Sequence, residues 1–348
     1  MRRIAVVGAG LSGLTAGIYL SRQNLEVTLY EASDRVGGRV TTDYIDGYIC
    51  DRGFQVINPS YPEIRRLNAL KDLEFSPISP NVRVDGIPYG ISHPINILRA
   101  LPDLKRKVIN PFLKGVFLTE PKNINPKTAN EIMRSFIVGR PGVPKLGVAK
   151  FTENLAKTAG TIKLGAAVDS VGKGTVSGNF GNEKFDAVII ATDPATATHL
   201  TGVKKYQKLL QSFTWYYSVK NEIPNSKYLS IDSKGKLVNS VVMSSVSSAY
   251  APNGYSLISA TSLNPLGENE LKKELENLWD ISTRDWELIN RYEIKESLPF
   301  REDCEKLNPK IGEFLYLAGD HMDIPSQNGA MRSGRRAAAA LISDLKLN

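Results

Sequence analysis

The sequence holds little of what several common chemistries require. Among its 348 residues are two cysteines, Cys50 and Cys304, and three histidines, His93, His199 and His321. The cysteines lie far apart with no CxxC spacing, which argues for reduced thiols over a disulfide or ligand pair. The histidines form no cluster at metal spacing, so no metal site is expected. No apolar run approaches the roughly 18 residues of a membrane span, and Met1-Arg2-Arg3 leads directly into IAVVGAG, too short for a signal-peptide core. The expectation is a cytoplasmic or stromal-like protein. Charge is not concentrated either: 44 basic against 36 acidic residues give a net +8. That balance favours an anionic ligand, while the lack of an aromatic-interleaved basic run argues against a nucleic-acid platform.

What is present is ordinary globular composition, 42% hydrophobic and 23% charged, in a chain long enough for two joined domains or one large α/β unit with an insertion. Near the start, RRIAVVGAGLSGLTAGIYLSRQNLEVTLYE reads as strand, glycine turn, helix and second strand. Gly8, Gly10 and Gly13 fit GxGxxG: the first permits a tight turn, the second lets backbone approach a pyrophosphate, and the third lets helix and strand pack closely. Leu11 and Ser12 lie between them, and Gly17 extends the close-packed face. The helix N-terminus offers free N–H groups to phosphate. Glu31, at the end of the second strand and followed by Ala32, is placed to accept ribose hydroxyls. The pattern points to a dinucleotide; it does not separate NAD from FAD.

The next stretch, ASDRVGGRVTT, makes that distinction. Together with Glu31 it resembles the signature of the FAD-dependent amine oxidase, phytoene desaturase and protoporphyrinogen oxidase superfamily. Gly37 and Gly38 let backbone pass close to a bulky cofactor, and Arg35 and Arg39 offer charge to its pyrophosphate. The segment DGYICDRGFQVINPSYPEI is similar to the family's D-x-G stretch, which implies Asp51, Gly53, Phe54 and Gln55 beside the isoalloxazine. By its residues alone, Gln55 reads equally well as a satisfied polar group in the core.

The segments INPFLKGVFLTEP and RPGVPKLGVAKFTENLA resemble the insertion domain of desaturase-like members from bacteria and plants. A helix from about Phe151 to Lys157 then returns the chain to the cofactor domain. The resemblance implies that Val168 presents its backbone to the adenine, and FDAVIIAT ends at the cofactor side with Ala191 and Thr192. In GEFLYLAGDHMDIPSQNGAMRSGRRAAAALI, a buried strand ends at Gly319 and Asp320, an acid that in the family holds a cofactor hydroxyl or organises the pyrophosphate. A helix through Ile342 follows, with Ser326, Gln327, Asn328, Gly329 and Ala330 at the flavin's N1–C2=O edge and the alanine run as a close-packed face.

The fold these features imply is α/β: a Rossmann-like FAD-binding domain (GR2 type) with an interleaved α+β substrate domain. The boundaries are 1–75, 140–192 and 301–348 for the FAD-binding domain, and 76–139 and 193–300 for the substrate domain. A hairpin turns at Asp85-Gly86. Strand-like runs TWYYSVK, VVMSSVS and YSLISAT precede an amphipathic helix with Leu271, Leu275 and Leu278 inward. Ile97 to Leu118 mixes apolar and basic residues, and a solvated basic face outweighs membrane contact there, since Pro102 and Pro111 break a long interfacial helix.

The activity implied is hydride transfer from a small apolar or cyclic substrate to flavin N5, by a desaturase, dehydrogenase or oxidase. The substrate identity and the electron acceptor are not readable. Catalytic candidates are Gln55, Tyr217, Lys220 and His321; Lys220, at a strand end, also reads as plainly solvent-exposed. Where monoamine oxidases carry a cage tyrosine this chain has Ser326, and Cys304 in REDCEKLNP is no covalent-flavin motif. KESLPF instead resembles the A-L-P segment of desaturases and protoporphyrinogen oxidases. The alternatives are an amine oxidase, a renalase-like oxidase of nicotinamide compounds and, from another class, a non-catalytic binding protein like the GDP-dissociation inhibitors.

Overall fold

The computed structural model describes residues 1–90, 105–223, 226, 228–302 and 305–346. His93, Pro102 and Cys304 lie outside them. The strand Arg3–Val7 has one of its faces turned to each of two cores. Ile4 and Val6 belong to the cluster under the helices, whereas Ala5 and Val7 belong to the cluster beneath a three-stranded antiparallel sheet spanning Val168–Gly172, Thr175–Gly178 and Gly181–Lys184. A strand buried on both sides needs a continuous apolar run, and IAVV supplies it.

Around that strand a six-stranded sheet assembles in the order Lys310–Gly312, Leu315–Leu317, Ala187–Ile190, Arg3–Val7, Glu26–Tyr30, Thr161–Lys163. Every pairing is parallel except the first. Strands from both ends and the middle of the sequence are thus hydrogen-bonded side by side. The strand expected from Phe314 begins one residue later, because Phe314 takes a left-handed φ of 54° and is part of the turn.

The first helix, Leu11–Ser21, lies on this sheet at a distance set by glycine. A Cβ on Gly13 would stand 1.9 Å from the Gly8 carbonyl oxygen, and one on Gly17 would stand 2.3 Å from the Ala159 carbonyl oxygen. The long final helix, Gln327–Asp344, packs against the first through Gly334, whose Cβ would come within 2.1 Å of the Ser12 carbonyl oxygen. Ala337 and Ala338 are fully buried there, so the alanine run is the close-packed face expected of it.

A second, seven-stranded sheet runs in the order Glu287–Phe300, Lys208–Lys220, Tyr255–Ser262, Leu237–Val242, Leu229–Ile231, Asn81–Val84, Ile87–Gly90. Asp85 and Gly86, both at positive φ, make the predicted hairpin turn. The helix Glu268–Trp279 covers one face, with Leu271, Leu275 and Leu278 packed on Phe213, Trp215 and Tyr217. Tyr216 alternates to the other face. Two expectations are corrected. The strand in VVMSSVS ends at Val242 and gives way to a helical turn at Met243–Val246. Pro111 does not break the helix: its missing N–H falls in the first turn of Asn110–Phe117, which continues from a π-helical turn at Lys105–Ile109.

The two N-terminal glycines differ in what they demand. Gly10 has φ −77°, and a Cβ there would meet only the Gly37 carbonyl oxygen, at 4.0 Å. In ligand-free protein, urea unfolding should therefore show Gly13→Ala destabilised by about 1–3 kcal/mol and Gly10→Ala within about 0.5 kcal/mol of the parent. Equal losses would contradict this distinction.

Candidate active site

A single cavity of about 1960 Å³ opens at the carboxyl ends of the parallel strands and continues beneath the seven-stranded sheet. At one end it is lined by Gly8, Gly10, Leu11 and Ser12 of the glycine turn, by Glu31 and Ala32, and by Gly38 and Arg39. Val168, Ala191 and Thr192 close one side, and Gly53, Phe54 and Gln55 another. Gly319, Asp320, Gln327 and Ala330 complete this half. Gly13 and Asn328 do not line it. Gly13 is spent on packing, and Asn328 is buried with Oδ1 accepting from the Glu63 backbone N–H at 3.3 Å.

Within this half the polar groups are ordered. Glu31 Oε2 accepts from the Ala9 N–H at 2.8 Å, and Oε1 from the Ser33 N–H and hydroxyl at 3.0 and 2.7 Å. The carboxylate therefore ties the glycine turn to the loop after the second strand. Ser12 donates to the Ala330 carbonyl at 2.9 Å, fixing the first turn of one helix against that of the other. Ser326 caps the final helix, accepting from the Gly329 N–H at 3.0 Å, so the positive end of an 18-residue helix is presented to the cavity. Next to it, Gln327 Oε1 is buried with no hydrogen-bond partner.

Arg39 is held from two directions. One guanidinium nitrogen donates to Asp320 at 2.7 Å and the other to the Ser297 carbonyl at 3.0 Å. Asp320 is 4% exposed, whereas the Arg39 side chain keeps about a third of its surface open to the cavity. Arg35, in contrast, reaches Thr41 and Asp34 and does not line the cavity. The charge expected of it at the pyrophosphate position is not there.

The catalytic candidates separate. Gln55 lines the cavity, but its amide nitrogen is engaged, donating to the Arg39 and Arg52 carbonyls at 2.7 and 2.9 Å. Tyr217 is fully buried on the helix-covered face, against Trp286, away from the cavity. Lys220 is exposed at its strand end. His321 is 1% exposed and lies under Gly319, where a Cβ would come within 2.3 Å of its ring. Burial drives its pKa down to about 4, so the ring is neutral near neutral pH.

Asp51 also departs from expectation. It does not line the cavity; it is a buried junction between the hairpin strands Thr42–Ile45 and Tyr48–Asp51 and the seven-stranded sheet. Its carboxylate accepts from Thr42 Oγ1 at 2.6 Å, the Val148 N–H at 3.0 Å and Tyr250 Oη at 2.8 Å, while Tyr216 Oη donates to its carbonyl at 2.9 Å. Burial pushes its pKa up to about 6 against these donors, which favour the charged form.

Several lining residues were not singled out in the sequence. Ile294, Lys295, Glu296, Ser297 and Leu298 form one wall, the last four being the start of the KESLPF segment, whose resemblance does not by itself assign them to the site. The far half is largely apolar, with Phe112, Val116 and Phe117 from one helix and Ile132, Phe136 and Ile137 from Pro126–Gly139, which also brings Asn130 and Arg134 to the lining. Asp193, which caps the helix Pro194–Thr201, also lines the cavity. Among the described residues no group of three or more His, Cys, Asp or Glu is arranged to hold a metal ion, and no helix is long and apolar enough to cross a membrane.

Comparison with known proteins agrees with this arrangement. Residues 11–88 match the family model for flavin containing amine oxidoreductase. Protoporphyrinogen oxidase 2 of Arabidopsis thaliana is 36% identical over 104 residues, covering 28% of this chain and 20% of that protein. L-amino acid dehydrogenase of Synechocystis is 35% identical over 129 residues, covering 37% and 24%. The chain thus spans only about a fifth to a quarter of the length of these relatives. The PF1083 protein of Pyrococcus furiosus has a similar fold throughout: TM-score 0.76 at 18% identity, over 99% of this chain and 98% of that one.

The junction at Asp51 has a readable pH dependence. A folded pKa near 6 against 3.8 for an ordinary carboxyl means the unfolded chain ionises first, so stability falls as pH rises from about 4 to about 6. The loss is about 3 kcal/mol for a shift of this size. Asp51→Asn should remove that part of the slope, measured as the difference between variant and parent urea midpoints at pH 4 and pH 7. A difference that does not change with pH would contradict it.

Proposed function

We propose that this chain, a member of the flavin amine oxidase superfamily by its residues 11–88 and its overall fold, is an FAD-dependent oxidoreductase acting on a small substrate with an apolar body. The observation that carries the reading is the open direction above Gly10. Its neighbours Gly8 and Gly13 are glycines because protein atoms crowd them; Gly10 faces the cavity with no protein side chain against it. A backbone stripped of its side chain, beside a helix N-terminus and Glu31, fits the pyrophosphate and ribose of a dinucleotide. The unpartnered Gln327 Oε1 and the capped N-terminus of the final helix fit a second polar edge farther along the cavity.

In this reading Glu31 holds the adenosine ribose, the Gly10–Gly13 turn and Arg39 hold the pyrophosphate, and Val168 lies at the adenine. Gly53, Phe54, Gln327 and Ala330 hold the flavin ring. When bound, FAD supplies the redox chemistry, accepting a hydride equivalent from a substrate carbon. The residues of the chain orient and desolvate. The Arg39–Asp320 pair fixes the cavity wall, the final helix offers positive potential where charge develops, and the phenylalanines of Asn110–Phe117 and Pro126–Gly139 exclude water. The lining groups with resolved shifts include no acid or base brought close to neutrality: burial pushes Tyr61 up to about 12 and raises Tyr292 still further. The strands of the six-stranded sheet all come from residues 1–75, 140–192 and 301–348, and those of the seven-stranded sheet from 76–139 and 193–300. This supports the division into an FAD-binding and a substrate domain.

The test is a visible spectrum of the purified protein, followed by anaerobic reduction with an amine, a polyene, a porphyrinogen and NAD(P)H in turn. Bound flavin bleached by one of these is expected; a colourless protein that FAD does not reconstitute sinks the reading in favour of a binding protein. Glu31→Ala should weaken FAD binding by at least tenfold, since hydrogen bonds to a charged group contribute about 1.5–3 kcal/mol each. Gly10→Ala should fold normally yet lose flavin. Full occupancy and unchanged affinity in both variants would contradict these assignments.

A further inference from the structure

A β-bulge decides which residue faces the far half of the cavity. Leu237 pairs with Ser262 and Asn239 with Thr261, adjacent residues on the partner strand, so Val238 is the extra residue. Regular alternation would put Asn239 on the same side as Leu237, in the core under Glu268–Trp279. The bulge reverses this. Leu237 and Val242 pack in that core and Ser240 accepts from Trp279 Nε1 at 3.0 Å within it, whereas Val238 and Asn239 both line the cavity. Bulges re-aim side chains at functional sites, and this one turns a carboxamide into a largely apolar chamber of Phe112, Val116, Leu229 and Ile231, beside its strand partner Thr261.

The Asn239 amide is not satisfied by the protein. The residue is 7% exposed, and Oδ1 is buried with no hydrogen-bond partner. Opposite it the helix Asn110–Phe117 carries Gly115; a Cβ there would lie 3.6 Å from Val238 Cβ and 3.7 Å from Asn239 Nδ2. The helix therefore leaves room at the amide. An unsatisfied buried polar group costs about 1–3 kcal/mol, and a ligand that pairs with it recovers that cost and is distinguished from an isostere that cannot.

We propose that Asn239 is the specificity-determining residue of the substrate chamber, its amide binding a polar group, a hydroxyl or carboxamide that both donates and accepts, of a largely apolar substrate. This rests on the reading of the cavity as an FAD-dependent oxidoreductase site with its substrate at the apolar end. Asn239 does not transfer protons; it selects and orients.

The experiment uses FAD-loaded protein and two probes of nearly one shape, benzanilide and trans-stilbene, which differ by an amide in place of an alkene. Flavin occupancy is measured first by absorbance, and failure there overturns the oxidoreductase reading itself. Affinities are then measured by equilibrium dialysis. The parent should bind benzanilide at least tenfold more tightly than stilbene. Asn239→Leu should retain its flavin and lose that preference, with stilbene binding unchanged or stronger. Gly115→Ala, whose methyl sits at ordinary contact distance and so leaves the fold intact, should weaken benzanilide binding at least fivefold. The proposal is overturned by equal affinities in the parent, by a preference that survives in Asn239→Leu, or by binding of neither probe. Should Asn239→Leu fail to fold, unchanged benzanilide affinity in Gly115→Ala overturns it as well.

Discussion

The approach of the first helix to the first turn sets the geometry of the rest. With Gly13 against the Gly8 carbonyl and a Gly8 Cβ position only 2.7 Å from the Ala191 carbonyl oxygen, three backbone segments meet where no side chain fits. That contact holds the helix axis over the sheet and points its N-terminus past the ends of the parallel strands. The final helix takes its own position from the first, through Gly334 on the Ser12 carbonyl and the Ser12 hydroxyl on Ala330. Two helix N-termini thereby converge on one cavity, although their sequences lie at opposite ends of the chain.

The parts of this arrangement legible in the sequence are those written locally. The run IAVV, the glycine spacing and Glu31 each have a short-range physical meaning, and strand, turn and helix stand where those meanings put them. The amphipathic spacing of Leu271, Leu275 and Leu278 is local in the same sense. The illegible parts depend on contacts distant in sequence. Asp51 stands in a motif that resembles cofactor-binding segments, yet its environment is made by Thr42, Val148, Tyr216 and Tyr250, which no spacing announces. His321 is adjacent to a cavity residue, but a turn of backbone puts its ring beneath Gly319. Asn239 reads as one polar residue in a buried strand; only the register with Tyr255–Ser262 reveals which side it faces.

The two halves of the molecule meet through different physics. At Asp51 the connection is a buried carboxyl satisfied by donors from both sides, which makes the junction specific at some cost in stability. At Arg39 it is a bond to the Ser297 carbonyl, made by a guanidinium that the nearly enclosed Asp320 of its own half holds at the cavity surface. The first arrangement seats the hairpin of Asp51 on the seven-stranded sheet; the second shapes the cavity wall.

The Arg39 contacts also bear on the order in which the molecule is made. Its partners lie 258 and 281 residues farther along the chain, and Asp320 follows the strand Leu315–Leu317, which pairs beside Ala187–Ile190. A ribosome that has released the glycine turn, Glu31 and Arg39 has delivered half a nest, with nothing opposite. The cavity closes only once residues near 320 and the helix after them have emerged. Such long-range pairing is slow to form, and a ligand that binds only the completed wall draws late intermediates toward the native state by mass action. Ligand binding there therefore reports whether residues far apart in the sequence have come together.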